Sequence, residues 1–190
     1  LHGESDDQRR PTRLMPPPSS RRLEFRPLTI AAIEALIAGD RGMLEAATGA
    51  TFPLPLAAPP GMDHALPTMR DTLRDDPAST FWGPFLLVVR ESGEAVGSAG
   101  FLVQSARGGN HELGYSVYAP FQRQGIASEA AAALVAWALA QPGMSGVRAT
   151  IPPGHVASQR VAANAGLHPT GRMETDPDEG PVEVWERSQE

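Results

Sequence analysis

Apolar and polar positions alternate along Leu23-Glu24-Phe25-Arg26-Pro27-Leu28, the period of a strand with one buried face. The period then lengthens. Thr29 is placed to cap a helix over Ile30 to Ile37, with Ala31, Ile33, Leu36 and Ile37 on its predicted apolar side. A second short helix is predicted near Arg41 to Ala47. Between Thr51 and Pro67, proline, glycine and alanine interrupt any period and predict a loop, and Asp63 to Arg74 offers a further short helix.

The second half of the chain carries a stronger pattern. Trp82 to Arg90 and Ala95 to Gln104 are apolar runs separated by Glu91-Ser92-Gly93-Glu94, which predicts a hairpin. Arg107-Gly108-Gly109-Asn110 turns the chain into a third strand, His111 to Val117, so three consecutive antiparallel strands are expected. The run Ser128 to Ala140 is apolar almost all round and reads as a helix buried against that sheet, stopped by Gln141-Pro142-Gly143. Val147 to Ile151 is a predicted strand, Pro152-Pro153-Gly154 a turn, and His155 to Ala165 a helix ended by Gly166. Leu167 to Met173 and Val182 to Trp185 predict a closing hairpin. No internal repeat is visible. Strands and helices in this order predict a single α+β domain over residues 23–190. Residues 1–22 are polar, rich in arginine and broken by Pro16-Pro17-Pro18, and are expected to form a flexible N-terminal extension.

Composition narrows the function. The net charge is −6, and the folded part holds no basic run, which argues against a nucleic-acid partner. Every basic residue is arginine. The absence of cysteine excludes disulfides, thiolate metal sites and a cysteine nucleophile. No histidine pair has metal-ligand spacing, so no metal is expected. No apolar stretch approaches the ~20 residues of a membrane span, and a soluble, cytoplasmic protein without a membrane partner is the expectation.

The chemistry concentrates at Gln122-Arg123-Gln124-Gly125-Ile126-Ala127, between the His111 strand and the Ser128 helix. A strand, a loop exposing N–H groups and a helix N-terminus together make an anion site. Gly125 allows close backbone approach, Ala127 is small, and Arg123 with the two glutamines adds donors. The alternative is a plain strand-to-helix turn.

That hexapeptide fits the pattern Gln/Arg-x-x-Gly-x-Gly/Ala and resembles the pyrophosphate-binding signature of the GNAT acetyltransferase superfamily. Glu112-Leu113-Gly114-Tyr115 before it, Ser128-Glu129-Ala130 after it, and Ser158-Gln159-Arg160-Val161-Ala162 with Ala165-Gly166-Leu167 downstream resemble the RimJ/RimL-type branch, which acetylates ribosomal-protein N-termini. The resemblance runs roughly from Leu23 to Arg187. It implies a GNAT fold: a mixed, mostly antiparallel twisted sheet, splayed in the middle, with helices on both faces. It implies acetyl-CoA as co-substrate and direct attack by a primary amine, either a protein N-terminus or a small molecule. A homodimer stays open.

Further roles follow from the same resemblance. The N–H groups of roughly Arg123 to Ala127 would hold the pyrophosphate. The backbone of Tyr115 to Val117, opened by a bulge, would pair with the pantetheine arm and polarise the thioester carbonyl, where one preorganised donor is worth ~3–4 kcal/mol. Glu112 is the candidate base, directly or through water, and otherwise a surface carboxylate. Ala162 stands where many members carry a tyrosine acid, so Ser158 is nominated as donor to the departing sulfur, or else it bonds locally to backbone. His155 replaces the usual asparagine contact to the pantetheine arm, or is only a helix cap. These departures leave a second reading, a non-catalytic acyl-CoA-binding module; a third, weaker one is another nucleotide-binding fold. Gly114-Tyr115-Ser116-Val117-Tyr118 lacks the second glycine of a hydrolase elbow, which removes that class.

Overall fold

A computed structural model describes residues 16–102 and 110–189. The predicted turn at Arg107-Gly108-Gly109 lies outside the described residues, as do residues 1–15 of the extension. The elements are β1 (Leu23–Pro27), α1 (Ile30–Ala38), α2 (Arg41–Thr48), α3 (Leu66–Asp75), β2 (Phe85–Val89), β3 (Ala95–Leu102), β4 (Asn110–Val117), α4 (Ile126–Leu139), β5 (Gly146–Ile151), α5 (Val156–Asn164), β6 (His168–Asp176) and β7 (Gly180–Ser188). The strands form one sheet in the order β1-β2-β3-β4-β5-β7-β6. Every neighbouring pair is antiparallel except β4 and β5.

Strand β2 shows why helices cover both faces. Phe85 and Leu87 pack into one apolar cluster with α4, while Leu86 and Val88 pack into the other with α1–α3. Successive strand residues point to opposite faces, so an unbroken apolar run needs a cover on each side. On the first face α4 inserts Ala130, Leu134, Val135 and Ala138, none of them exposed. On the second, α1 presents Ala32, Ile33, Ala35 and Leu36. That corrects the expected stripe, because Ala31 and Ile37 turn outward. Thr29 caps α1 as expected, its side chain accepting from the Ala32 N–H.

Three other boundaries differ. Helix α3 starts at Leu66, with a proline in its first turn, rather than at Asp63. Trp82 closes a 3-10 helix (Pro77–Trp82), and the strand waits until Phe85, because Pro84 carries no N–H for a ladder. The closing hairpin is longer, reaching Asp176 and Gly180 around a turn in which the Asp176 carboxylate accepts from the Asp178 and Glu179 N–H groups.

The segment Pro16 to Arg22, counted with the extension in the sequence, is fastened to the domain. The Trp137 indole donates to the Pro16 carbonyl at 2.6 Å, and the Ser20 hydroxyl and Arg22 both donate to the Glu129 carboxylate.

Candidate active site

Strands β4 and β5 run side by side only at Asn110–Gly146, His111–Val147 and Glu112–Arg148. Beyond that point they part. Leu113 to Val117 then forms one wall, and Ala149 to Ile151 the other, of a cleft of about 760 Å³ that reaches the glycine loop and the start of α5. The opening lies in the middle of the sheet, as expected. Its cause differs, however: β4 keeps an unbroken register with β3 from Leu102–Glu112 to Gly97–Val117, so no bulge interrupts Tyr115 to Val117. The splay comes from β5 leaving.

Alternation fixes which backbone groups face the gap. The Tyr118 N–H donates to the Val96 carbonyl, and the Ser116 carbonyl crowds Gly97, so the groups of even-numbered residues point to β3. The N–H and C=O groups of Tyr115 and Val117 therefore point to the opposite edge, into the cleft. Gly97 is required here, since a Cβ would sit 2.1 Å from the Ser116 carbonyl oxygen.

The loop after β4 makes two reversals in the left-handed region, at Arg123 (φ 60°) and Gly125 (φ 76°). Among the described residues, the N–H groups of Arg123, Gln124 and Gly125 donate to no backbone carbonyl. The first N–H groups of α4 have no intrahelical partner either. A cluster of free donors at the positive end of a 14-residue helix is chemically matched to a pyrophosphate. The glutamines have other employment. The Gln122 amide donates to the Val117 carbonyl at 3.0 Å, and the Gln124 amide to the Pro120 carbonyl at 3.1 Å. They shape the loop rather than extend its donor set.

Of the residues singled out in the sequence, Glu112, Tyr115, Val117, Gln122, Arg123, Gly125, Ile126, Ala127, His155 and Ser158 all line this one cleft. Gln124 does not; its side chain folds back along the loop. Ile126 and Ala127 serve chiefly through the start of α4, the first of them buried in the core.

Glu112 is no isolated carboxylate. One oxygen accepts from the Thr150 hydroxyl at 2.6 Å, the other from the Arg148 guanidinium at 3.2 Å. Arg148 also grips Glu174, whose hydrogen bond raises the guanidinium pKa further, while Glu174 itself is held below the usual carboxylate range. None of these partners is adjacent in sequence; only the β4–β5–β7–β6 pairing assembles them.

Ser158 lies on the other face. Its hydroxyl is 2.8 Å from the Tyr115 phenol oxygen, and the phenol also donates to the Ser158 carbonyl at 3.0 Å. Burial pushes the Tyr115 pKa up, and the hydrogen bond to Ser158 offsets only part of that, so the phenol stays protonated at neutral pH. His155 caps α5, its Nδ1 accepting from the Ser158 N–H at 3.0 Å, which leaves Nε2 carrying the proton of the neutral ring. Ala162 is fully buried in the core. The family resemblance implies a role for the Tyr115 backbone alone. Its phenol meets a serine 43 positions away, which no local pattern signals.

Residues 22–168 match the family model of the acetyltransferase (GNAT) domain, and the chain belongs to that family. It is 28% identical over 104 residues to YjdG, an uncharacterized N-acetyltransferase of Bacillus subtilis, a match covering 55% of this chain and 62% of that protein. Its fold is similar to that of RimL, a ribosomal-protein alpha-N-acetyltransferase in complex with coenzyme A, with a TM-score of 0.62, 18% identity and coverage of 90% and 96%. It is also similar to Mycobacterium smegmatis RimJ in complex with CoA-disulfide, with a TM-score of 0.60, 19% identity and coverage of 87% and 81%. No helix among the described residues is long and apolar enough to cross a membrane.

Proposed function

We propose that this protein is an N-acetyltransferase of the RimJ/RimL type, moving an acetyl group from acetyl-CoA to a primary amine, a protein N-terminus or a small molecule. The observation that carries the reading is the mid-sheet splay, where β4's free edge runs directly into a loop of unpaired N–H groups. The donor set and the cleft volume fit coenzyme A, which two of the fold relatives hold.

The N–H groups of Arg123 to Ala127 hold the pyrophosphate, and the Tyr115 and Val117 backbone, with the His155 Nε2–H, holds the pantetheine arm. Bound acetyl-CoA supplies the acetyl group as a thioester. Tyr115 and Glu112 are three positions apart on β4, so their side chains leave opposite faces of the sheet. Glu112 works on the acceptor side. It takes a proton from the ammonium, directly or through water, so that the amine's lone pair is free to attack. Thr150 and Arg148 fix its carboxylate, and this positions the acceptor proton. Ser158 works on the leaving-group side and gives its proton to the sulfur as it takes the proton of the Tyr115 phenol 2.8 Å away, and the phenol is reprotonated from solvent.

The two hydrogen bonds on Glu112 favour one competing reading, a carboxylate with a purely structural job in an acyl-CoA-binding module. Thermal shift with CoA, ATP and NAD tests the ligand class shared by both readings. CoA alone raising Tm supports it, and preference for ATP or NAD contradicts it.

A further inference from the structure

The glycine loop is bound on its outer side by a residue far away in sequence. Arg22, directly before β1, donates its backbone N–H and its Nε to the two oxygens of Glu129 at 2.8 and 2.6 Å. The Ser20 hydroxyl adds a third bond to that carboxylate at 2.8 Å. Burial pushes the Glu129 pKa up, but the bonds from Arg22 and Ser20 outweigh it and hold the group below the usual carboxylate range. Having anchored on the first turn of α4, the same guanidinium reaches back over the loop. Its Nη1 donates to the Gln124 carbonyl at 3.2 Å, and its Nη2 lies 3.5 Å from the place a Cβ on Gly125 would take.

The consequence is geometric. In a planar trans peptide the Gln124 C=O and the Gly125 N–H point in opposite directions. A carbonyl held toward Arg22 on the outside turns the Gly125 N–H the other way, and Gly125 lines the cleft whereas Gln124 does not. The loop needs such a hold. Its turn at Arg123 sits in the left-handed region that non-glycine residues rarely adopt, and the side chains of its own glutamines reach only the Val117 and Pro120 carbonyls. Arg22 is itself fixed from behind, since the Arg90 N–H donates to its carbonyl at 2.9 Å and the Arg90 side chain to that of Ser20 at 3.2 Å.

We propose that Arg22, fastened by Glu129, is a positioning residue for the pyrophosphate site, holding the Gln124–Gly125 peptide in its anion-binding orientation without touching the ligand. This rests on the coenzyme A reading of the loop. It predicts that Arg22 matters for the phosphate part of the ligand and not for the pantetheine part.

The test is isothermal titration of the protein with CoA and with pantetheine, which carries no phosphate. In the unsubstituted protein CoA binds much more tightly than pantetheine; equal affinities would overturn the pyrophosphate reading itself. Arg22→Ala weakens CoA about tenfold or more, the worth of one charge-assisted hydrogen bond, and leaves pantetheine affinity unchanged. Equal losses for both ligands would mean general damage to the domain, and no loss for either would mean no role; both outcomes overturn the proposal. Should Arg22→Ala fail to fold, Glu129→Gln keeps the side-chain shape, weakens the anchor, and lowers the CoA-to-pantetheine ratio in the same direction. An unchanged ratio in that variant also overturns it.

Discussion

The Tyr115 phenol and the Ser158 hydroxyl are 2.8 Å apart, and the phenol also bonds the Ser158 main chain, so a strand and a helix on one side of the cleft share a single hydroxyl pair. If the pair supplies the proton that the departing sulfur takes up, Tyr115→Phe lowers kcat on the order of tenfold while KM for acetyl-CoA stays within about twofold. Ser158→Ala does the same. The double variant is no worse than the more damaging single one, because the two act as a unit. Steady-state kinetics on the three variants checks this, and additive losses would separate the two residues.

Glu112 meets its strongest demand from a basic acceptor. An α-amino group of pKa ~8 is roughly one-tenth neutral at pH 7, whereas a side-chain amine of pKa ~10.4 is neutral only about once in 2,500. Glu112→Gln keeps the contacts with Thr150 and Arg148 in shape but removes the base. Turnover is expected to fall at least about tenfold, more for the basic amine than for the α-amine, with CoA affinity unchanged. Equal losses on both acceptors would remove Glu112 as base and favour the structural role.

His111 carries a stability prediction. Its ring is buried against Trp82 at 4.1 Å between centroids, and among the described residues neither ring nitrogen has a hydrogen-bond partner. Burial depresses its pKa, so the folded state keeps the ring neutral where the unfolded chain would charge it. The unfolded state then binds more protons, and stability falls as pH drops below about 6.5, toward the depressed folded value. His111→Phe flattens the dependence across that window. Urea midpoints at several pH values from neutrality downward measure it, and an unchanged slope would contradict the assignment.

Gly97 tests the close approach of β3 and β4. A methyl group there meets the Ser116 carbonyl oxygen at 2.1 Å and the Val117 Cα at 2.9 Å, both backbone atoms in the stretch that walls the cleft. Gly97→Ala is expected to destabilise the domain by about 1–3 kcal/mol and to weaken CoA binding as well. Chemical denaturation and CoA titration of the same sample check the two effects.

The legible part of this protein was what local pattern encodes. The turn from β4 into α4, the Thr29 cap and the alternation in β1 each depend on residues within one or two turns of each other, and all stand in the structure. Strand β2 starts later than its apolar run because Trp82 and Gly83 look like strand until Pro84 forbids the ladder. The buried side of α1 cannot be read from its sequence because Ala31 and Ala32 are equivalent in hydropathy, and only the position of the sheet chooses between them. The cleft's main residues were visible one by one. Their couplings were not: Glu112 with Arg148 and Thr150, Tyr115 with Ser158, and Arg22 with Glu129 are all made by strand order and splay, across 36 to 107 positions.

Acetyl transfer to an amine is tested by release of CoA thiol from acetyl-CoA, followed with a thiol reagent. A panel of N-terminal peptides, polyamines and amino acids serves as acceptors. The chain contains no cysteine, so the protein adds no thiol background. Release is expected to be stimulated by one acceptor class and abolished or strongly reduced in Glu112→Gln. Tight CoA binding with no stimulation by any acceptor would contradict it and identify a binding module instead.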